Sequence, residues 1–377
     1  MKRRELPSRR VLLAGALCVG ASARDTVSVK EIQMALRLSM AGDAARSIAE
    51  KLKRQKRSPL IEGRHVVFTV DTPARQVALA GVVAPDRPLP MRKLAGTTVW
   101  VSVHEFSEDA RFTYHFLVDG QPLADPWNRE RSGEAESVVS MPRHRLPREA
   151  QPEPGVPRGE LRAGRSVDGH QATWYVPKQH GGAPVPLMVV HDCAGYLTAK
   201  LPEILDSLIA RKRIPPVVGL LLDPRSREEY EDLSEAYPKW LHAQLRAAPP
   251  PGITLRDDPA SRAVMGAASG GLAGFHAAWT MPGLFGRILC QSANFAANRQ
   301  ALQYSEVVRS SPPKPLRLCM TLGAHDPEAV RDSNHLLWGA LRQHRYDFVP
   351  IEDEGFHSFD TWQQQLPRAL EALWRAA

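Results

Sequence analysis

Cysteine and long apolar runs are both scarce in this chain of 377 residues. The four cysteines include no Cys-x-x-Cys pair, which argues against a zinc site or a dithiol redox centre. Cys290 and Cys319 stand in apolar, strand-like segments, so we expect buried and unpaired thiols there. Beyond the N-terminal residues no apolar run is long enough to cross a bilayer, and we predict no membrane span in the mature chain.

Charge of one sign is not concentrated in the body of the chain. The sequence has 49 basic residues (Lys and Arg) against 41 acidic ones, a formal net charge of +8. Residues 1–23 contain five of the basic and one of the acidic residues, which leaves +4 for the remainder. So diffuse an excess gives no reason to predict nucleic-acid binding, and it is compatible with an anionic small-molecule ligand.

The N-terminus has the three parts of an export signal. Five basic residues precede a short apolar run over 11–20, and Ala21-Ser22-Ala23 offers the small residues that a signal peptidase requires. The pair Arg9-Arg10 and the apolar residues after it also fit a twin-arginine signal. We therefore predict that residues 1–23 are cleaved and that the mature protein is periplasmic or secreted. The alternative is an uncleaved N-terminal anchor, for which the apolar run is short.

The first half of the chain changes its periodicity twice. Residues 24–57 have apolar positions at helical spacing and predict a broken helix or a helical pair. Residues 58–142 contain short alternating runs between turn signals, which predict a small β-sandwich. Within it, 112–118 is apolar at every second residue, and Asp119-Gly120 favours a tight hairpin turn. The proline-rich stretch 143–160 predicts a linker.

Strands alternate with helices from residue 161 to residue 377. Near-continuous apolar runs at 187–191 and 217–222 are typical of parallel strands buried on both faces. Further strands are predicted at 262–266, 287–290, 317–322 and 346–351, and helices at 233–245, from about 272, and at 361–375. This alternation predicts a doubly wound α/β sheet with helices on both faces.

One segment, 266–270, has the composition of the nucleophile elbow of an α/β-hydrolase. That turn is so sharp that the residues two before and two after the nucleophile must be nearly free of side chain. Gly266 and Gly270 meet this condition around Ala268, which has no hydroxyl with which to attack a carbonyl. Moving the frame by one residue would make Ser269 the nucleophile. The alternative is a glycine-rich turn without a catalytic role.

Asp326 and His357 stand where the other two members of a catalytic triad are expected. Hydrolases of this fold order the triad as nucleophile, acid and base along the chain. Asp326 follows the predicted strand 317–322, and His357 lies between the last strand and the last helix. A histidine there can present a ring nitrogen to the nucleophile while the carboxylate fixes its tautomer. The alternatives are a helix N-cap for Asp326 and an ordinary surface loop for His357.

The chain resembles the enterochelin esterase family, and the resemblance runs almost from end to end. In the first half it rests on 58–68, 114–120 and 125–128, and in the second half on 223–230, 270–292 and 355–362. It implies an α/β-hydrolase sheet preceded by a small early-set β-sandwich. It also implies a serine esterase without metal or organic cofactor, with a catecholate-siderophore ester as its small-molecule ligand. The family serine would stand at position 268, and Ser269 falls in a variable position.

The resemblance also implies the rest of the site. The oxyanion would be bound by backbone N–H groups of Ser269 and of the segment at Cys193. Residues 191–196 resemble an Asp-Gly-x-x-Trp pattern in which Cys193 replaces the glycine, and we expect its Cβ to restrict the backbone. Cys193 is off the elbow and is a poor candidate for a replacement nucleophile. The residues expected near the substrate are Asp192, Tyr196, Arg225, Arg227 and Trp362, with Arg129 and Arg131 as further cationic candidates.

Ala268 leaves three interpretations open. The protein is a non-catalytic binding protein, or it uses Ser269 with the same histidine, or it is an esterase whose nucleophile has been replaced. Loss of the nucleophile from such a triad typically removes about 10⁶ of rate. Displacing a reacting group by about 1 Å can cost on the order of 100-fold, so the shifted serine ranks last. For an exported enzyme, feruloyl or other acylated sugars are an alternative substrate class, which the β-sandwich would suit.

Overall fold

The computed structural model describes residues 26–165, 170–246, 249–296, 298, 300 and 302–375. The predicted signal peptide, residues 1–23, lies outside the described residues. The strands are β1 (Leu60–Glu62), β2 (His65–Asp71), β3 (Val77–Ala80), β4 (Leu89–Pro90), β5 (Arg92–Lys93), β6 (Val99–Glu105), β7 (Arg111–Val118), β8 (Gln121–Leu123), β9 (Arg131–Ser132), β10 (Glu136–Ser140), β11 (Glu160–Arg165), β12 (Gln171–Val176), β13 (Leu187–His191), β14 (Val218–Leu222), β15 (Arg262–Ala267), β16 (Arg287–Gln291), β17 (Arg317–His325) and β18 (Asp347–Phe356). The helices are α1 (Val29–Arg37), α2 (Asp43–Gln55), α3 (Cys193–Thr198), α4 (Leu201–Ala210), α5 (Arg227–Glu231), α6 (Ala236–Arg246), α7 (Ala268–Thr280), α8 (Tyr304–Ser310), α9 (Glu328–Gln343) and α10 (Phe359–Trp374).

The first ten strands form a β-sandwich of two sheets. One sheet has the order β1-β2-β6-β5, and the other has the order β4-β3-β7-β10-β9 with β8 beside β7. Phe112, Tyr114 and Phe116 of β7 are fully buried between the sheets, as their alternation predicts. Asp119 and Gly120 both have positive φ, 48° and 85°, and close the two-residue turn between β7 and β8. The predicted hairpin is therefore confirmed.

The two N-terminal helices cover the outer face of the first sheet. Ile32 of α1 and Leu52 of α2 are fully buried against Val67 and Val101, which point away from the sandwich interior. Ser28 begins α1 with a capping box, in which its side chain accepts from the N–H of Glu31 and the Glu31 carboxylate accepts from the N–H of Ser28. The structure therefore has two separate helices here, where the spacing predicts either a broken helix or a helical pair.

The proline-rich stretch is packed rather than free. Its regular structure is one 3-10 turn, Arg148–Ala150, and Ala150 is fully buried in the core on the α4 side of the large sheet. Glu149 forms an ion pair of 2.5 Å with Arg213, and Glu153 pairs with Arg211. These contacts fix the segment on the surface of the second half of the chain, so it does not act as a flexible linker.

An eight-stranded sheet forms the second half, in the order β11-β12-β14-β13-β15-β16-β17-β18. The strands from β14 to β18 are parallel, whereas β11 and β12 are antiparallel to their neighbours. Helices α4 and α10 bury their apolar faces on one side of the sheet, and α6 to α9 on the other. This is the doubly wound architecture that the strand–helix alternation predicts.

Some element boundaries differ from the sequence prediction. Helix α7 begins at Ala268 and not near residue 272, because four small residues at its start carry no amphipathic signal before Leu272. Strand β18 continues to Phe356 through an acidic run of low strand propensity, held by its pairing with β17. In the second half of the chain, the sequence patterns do not predict strands β11 and β12 or helices α3, α4, α5, α8 and α9.

Within the described ranges, none of the helices combines the length and apolarity that a bilayer crossing requires. The same ranges contain no cluster of three or more side chains arranged to hold a metal ion. Cys193, Cys290 and Cys319 are free and buried, as expected for Cys290 and Cys319 from their apolar surroundings.

Candidate active site

Ala268 occupies a sharp turn between β15 and α7. Its φ is +46°, in the left-handed region that residues with a Cβ rarely adopt. A Cβ on Gly266 would lie 2.4 Å from the carbonyl carbon of Gly270, and one on Gly270 would lie 2.3 Å from Oδ2 of Asp192. The close approach of the chain on both sides therefore requires glycine at these two positions, as in a nucleophile elbow.

This geometry centres the elbow on residue 268 and not on Ser269. The positive φ belongs to Ala268, whereas Ser269 is the second residue of α7 and has helical backbone. A left-handed non-glycine residue costs on the order of 1–3 kcal/mol, which the surrounding structure must offset. The chain therefore retains the strained turn of a hydrolase although the side chain at its apex has no nucleophilic atom.

Asp326 and His357 form a hydrogen-bonded pair. Nδ1 of His357 lies 2.9 Å from Oδ1 of Asp326, and Oδ2 of Asp326 accepts from the N–H of Gly323 at 2.7 Å. The Asp326 side chain is completely buried, whereas that of His357 is 23% exposed. A carboxylate on Nδ1 selects the tautomer in which Nε2 can accept a proton, so the pair has the arrangement of the acid and base of a triad.

The pair and the elbow lie at the same edge of the large sheet. β15, β17 and β18 are parallel and end at Ala267, His325 and Phe356, so the residues that follow them emerge together. The His357 ring packs edge-on against Trp362, with centroids 5.2 Å apart. Trp362 in turn lines the cavity that contains Ala268, and thus connects the two parts of the site.

The cavity at Ala268 has a volume of about 420 Å³. Part of its wall is aromatic: Phe359 and Trp362 both line the cavity, and their rings pack perpendicular to each other with centroids 4.8 Å apart. The indole N–H of Trp362 donates to the hydroxyl of Ser292 at 2.9 Å, which fixes the orientation of the ring. Arg227 and Asp192 bring charged groups to the remaining wall. An aromatic ligand with a polar end fits such a lining.

Ser269 lines the cavity, but its hydroxyl is held by helix α5. Oγ of Ser269 donates to Oε1 of Glu231 at 2.7 Å, and Nε of Arg227 lies 3.2 Å from the same Oγ and 2.8 Å from Glu231. Only 5% of Ser269 is exposed. The expectation that Ser269 could share the His357 base is therefore at odds with this geometry, because the partner of its hydroxyl is a carboxylate on another element.

The backbone groups expected to bind an oxyanion lie at two helix starts. Ser269 is the second residue of α7 and Cys193 the first of α3, and an N–H in the first turn has no acceptor within its own helix. The left-handed residue of the loop is Asp192, with φ +64°, and Cys193 is helical. The expectation that the Cβ of Cys193 restricts this loop is therefore wrong.

The Cys193 side chain is buried and is not among the residues that line the cavity. Its thiol is buried in the core below the sheet, and burial raises its pKa, so thiolate is disfavoured at this position. A thiol that is buried and protonated is a poor nucleophile. Cys193 therefore offers a backbone N–H to the site, and the low expectation for its thiol as a replacement nucleophile agrees with the structure.

Asp192 is a carboxyl group of the cavity wall whose pKa is strongly displaced. Burial and, to a smaller extent, the nearby charge of Asp223 raise the pKa of its carboxyl to about 7, against the opposing effect of Arg227. Asp223 itself accepts from the N–H of Ala194 at 3.2 Å. Near neutral pH the cavity therefore has a carboxyl group that is partly protonated and can donate a hydrogen bond.

The residues predicted to contact substrate divide into two groups. Asp192, Arg227 and Trp362 line the cavity. Tyr196 does not: it is fully buried, and its hydroxyl donates to Gln291 at 2.9 Å, because α3 turns this side chain into the core. Arg225 lies on the other side of α5, paired with Glu229 at 3.2 Å. The predictions for Tyr196 and Arg225 are therefore wrong for the cavity as it stands.

The two further arginine candidates belong to the N-terminal sandwich. Arg131 is in β9, where its guanidinium donates to the carbonyl oxygen of Asp125 at 2.6 Å and to Ser137. Arg129 lies in the loop before β9. The hydrogen bonds of Arg131 connect neighbouring segments of the sandwich, which gives it a structural role there.

Sequence reasoning missed three residues of the site. Phe359 forms part of the aromatic wall, Tyr230 closes the cavity beside Asp192, and Glu231 holds Ser269. Phe359 stands two residues after His357, so its position in the histidine loop was a usable signal. Glu231 follows Arg227 by one helical turn, a spacing that predicts an ion pair but not the contact with Ser269.

Comparisons with known proteins agree with this architecture. The iron(III) enterobactin esterase of Escherichia coli strain K12 is 24% identical over 333 residues, which cover 77% of this chain and 83% of that protein. Crystal structures of enterobactin esterases from Shigella flexneri and Salmonella typhimurium match with TM-scores of 0.63 and 0.64, at 20% and 21% identity. Each match covers 82% of this chain and 93% of the other.

A ferulic acid esterase matches the fold of a shorter region, with a TM-score of 0.51 and 14% identity over 58% of this chain and 99% of the other. The family model described as "Putative esterase" matches residues 171–373, which include the elbow, Asp326 and His357. The chain therefore belongs to this esterase family, as an enterochelin-esterase-like α/β-hydrolase with a β-rich N-terminal region.

Proposed function

We propose that this protein binds an aromatic carboxylic ester of the catecholate-siderophore class in the cavity at Ala268, and that it does not hydrolyse the ester by the serine route. One observation carries the proposal: the elbow presents alanine, while the Asp326–His357 pair is hydrogen-bonded as in an active site. Without Oγ at position 268 no acyl-enzyme can form. The surrounding groups remain able to bind the carbonyl and the aromatic part of an ester.

The choice of ligand class rests on the cavity and on the relatives. Phe359 and Trp362 offer the faces on which an aryl ring packs, and Arg227 offers a cation beside them. Enterobactin esterase from Shigella flexneri has been crystallised in the presence of enterobactin and of 2,3-dihydroxy-N-benzoyl-serine. One dihydroxybenzoyl group of either molecule is small enough to enter a cavity of about 420 Å³.

The retained groups define what a serine at position 268 would do. Its Oγ would attack the ester carbonyl while His357 takes the hydroxyl proton and then passes it to the departing alcohol. Asp326 would hold the imidazole in the required tautomer, and the N–H groups of Ser269 and Cys193 would stabilise the oxyanion. His357 would then take a proton from water as the water oxygen attacks the acyl carbon, and Oγ would leave with that proton, which releases the acid and restores the serine and the histidine.

The experiment compares binding and turnover in the same protein. Isothermal titration calorimetry with ferric enterobactin and with 2,3-dihydroxybenzoyl-serine should give saturable binding. Trp362→Ala should weaken the affinity about tenfold or more, because the aryl ring of the ligand loses its stacking partner. Trp338→Ala, a substitution in the core on the opposite face of the sheet, is the control for general damage. Binding of a feruloylated oligosaccharide in place of the catecholates would contradict the ligand class.

Turnover tests the role of position 268. The natural chain should not hydrolyse p-nitrophenyl esters above the rate of buffer, and Ala268→Ser should hydrolyse them, with a gain of at least about 100-fold. Ala268→Thr is the matched control, because its extra methyl crowds the elbow. If the natural chain hydrolyses these esters and Ser269→Ala abolishes the activity, the proposal is wrong and the shifted serine is the nucleophile.

A further inference from the structure

Phe356, the residue directly before His357, is inserted in the aromatic core of the N-terminal sandwich. It is 1% exposed and belongs to the same cluster as Phe68, Phe112 and Tyr114. Its ring lies 4.5 Å from that of Phe112 and 5.9 Å from that of Phe106, centroid to centroid. The end of β18, from which His357 extends, is therefore anchored by side chains of the sandwich and not of its own sheet alone.

A polar contact holds the other flank of His357. Nε of Arg111 donates to Oδ1 of Asp360 at 3.2 Å, in the first turn of α10. The same guanidinium pairs with Glu130 at 2.7 Å and donates to the hydroxyl of Ser140 at 2.6 Å, so its own position is fixed within the sandwich. Adjacent residues of β7, Arg111 and Phe112, thus contact positions 360 and 356 on the two sides of the histidine.

The acid loop is attached to the same cluster. His325, the residue directly before Asp326, stacks on Phe356 with centroids 4.6 Å apart and an angle of 17° between the rings. Phe106 of the sandwich approaches the His325 ring edge-on at 6.4 Å. Both residues that immediately precede the acid–base pair therefore share one aromatic stack with the sandwich.

These contacts are few, because the junction between the two parts of the chain is partly open. A cavity of about 500 Å³ lies between them, lined by Arg111 and His144 on one side and by Asp353, Asp360 and Arg368 on the other. Beside it, Arg64 of the sandwich reaches Glu354 at 3.3 Å, but both side chains are about half exposed. Exposed ion pairs contribute little. The sandwich residues that restrain the histidine loop are therefore Arg111 and the buried rings of Phe106 and Phe112.

We propose that Phe112 and Arg111 are positioning residues for the acid–base pair, which makes the sandwich a structural part of the site at Ala268. The inference deepens the proposed function, since it concerns the same His357 and Asp326. Aromatic rings in contact prefer a narrow range of arrangements, so the Phe112–Phe356 pair limits the path of the backbone into His357. A displacement of about 1 Å in a reacting group can cost on the order of 100-fold in rate, so such a restraint matters for catalysis.

The test compares two phenylalanines of one strand. Phe112→Leu removes the ring against Phe356, whereas Phe116→Leu removes an equally buried ring of β7 whose neighbour is Tyr114, at 5.8 Å. The readout in the otherwise natural chain is the low-field proton resonance of His357 Nδ1–H in its bond to Asp326. We expect the resonance to broaden or disappear in Phe112→Leu and to persist in Phe116→Leu. Equal loss in both variants would overturn the proposal, because it would reflect general loosening of the sandwich.

A second readout uses the chain with Ala268→Ser. Adding Phe112→Leu should lower kcat for p-nitrophenyl esters by about tenfold or more, and adding Phe116→Leu should lower it less than about threefold. Failure of Ala268→Ser to create activity would contradict the proposed function, while the resonance of His357 would still decide the positioning role. The two proposals therefore fail separately.

Arg111 provides a variant that leaves the aromatic core intact. Arg111→Met should disturb the His357 resonance and lower kcat in the Ala268→Ser chain. Arg111→Lys should have a smaller effect on the resonance and on kcat, because lysine keeps a cation near Asp360. If Phe112→Leu does not fold, this pair decides the question. Unchanged resonance and rate in Arg111→Met would show that the sandwich does not hold this flank of the histidine.

Discussion

At the scale of single residues, the site lacks the hydroxyl of a serine nucleophile but keeps the backbone geometry of a nucleophile elbow. Ala268 lacks the hydroxyl, yet it keeps a φ of +46°, and Gly266 and Gly270 keep the space around it. The cavity wall also contains a carboxyl group that is partly protonated near neutral pH, because burial is the main cause that raises the pKa of Asp192 to about 7. The first consequence of that shift is an effect of pH on stability.

Between about pH 4 and pH 7 the unfolded chain releases the Asp192 proton, whereas the folded chain keeps it. The free energy of unfolding therefore falls as the pH rises through this range, and the loss is complete above pH 7. Asp192→Asn should remove the fall, because asparagine stays neutral and tolerates the left-handed backbone at this position. At pH 8 the variant should be more stable than the natural chain by on the order of 2 kcal/mol, and at pH 4 the two should agree.

Urea unfolding at pH 4, 6 and 8 measures this difference. Asp43→Asn, which changes a fully exposed carboxylate at the start of α2, is the control and should keep the pH dependence of the natural chain. A variant at Asp192 whose stability followed the same pH curve as the natural chain would show that this carboxyl is ionised throughout.

At the scale of elements, the strand ends decide what the site contains. The positions of Ala268, Asp326 and His357 could be predicted because each follows a strand of the parallel sheet, and such strands end at one edge. The Ser269–Glu231 bond could not, since it depends on where the irregular segment after β14 places α5. The direction of Tyr196 was equally hidden, because a six-residue helix can turn either face to the core. The Ser269–Glu231 hydrogen bond and the direction of Tyr196 are both determined by packing between segments that are distant in sequence.

The β15–α7 turn gives a prediction for the element itself. Gly266→Ala would bring a methyl group within 2.4 Å of the backbone of Gly270, so we expect a loss of about 3 kcal/mol in the free energy of unfolding. Gly339→Ala in α9 is the matched change, because nothing lies within 4 Å of the added Cβ. It should raise stability by about 0.5–1 kcal/mol, as expected in the middle of a helix. Urea titration of both variants measures the contrast, and similar values for the two would contradict the close contact.

At the scale of the whole molecule, the sandwich and the hydrolase sheet meet at the acid–base pair rather than through a passive linker. The sequence indicated both architectures, because alternation in the first half and strand–helix alternation in the second are local patterns. The insertion of Phe356 into the sandwich core was not predictable, since the residue belongs by sequence to a strand of the other sheet. Contacts between distant segments have no local signature.

The N-terminal sequence predicts that the chain is exported. The mature protein should begin at Arg24, and mass spectrometry of the protein isolated from the periplasm or medium measures this. Replacing Arg9 and Arg10 together by lysine should cause the precursor to accumulate inside the cell if the twin-arginine route is used. Replacing Arg3 and Arg4 in the same way is the control. Recovery of the intact chain from the membrane fraction would favour the uncleaved anchor.

The left-handed backbone at position 268 has an evolutionary consequence. A single nucleotide change converts an alanine codon into a serine codon, and the turn, the glycines and the His357–Asp326 bond that a serine needs are already in place. If the proposed function holds, one point mutation separates this chain from an ester-cleaving form. Selection for a protein that binds such an ester without cleaving it would then have to remove that mutation each time it arises.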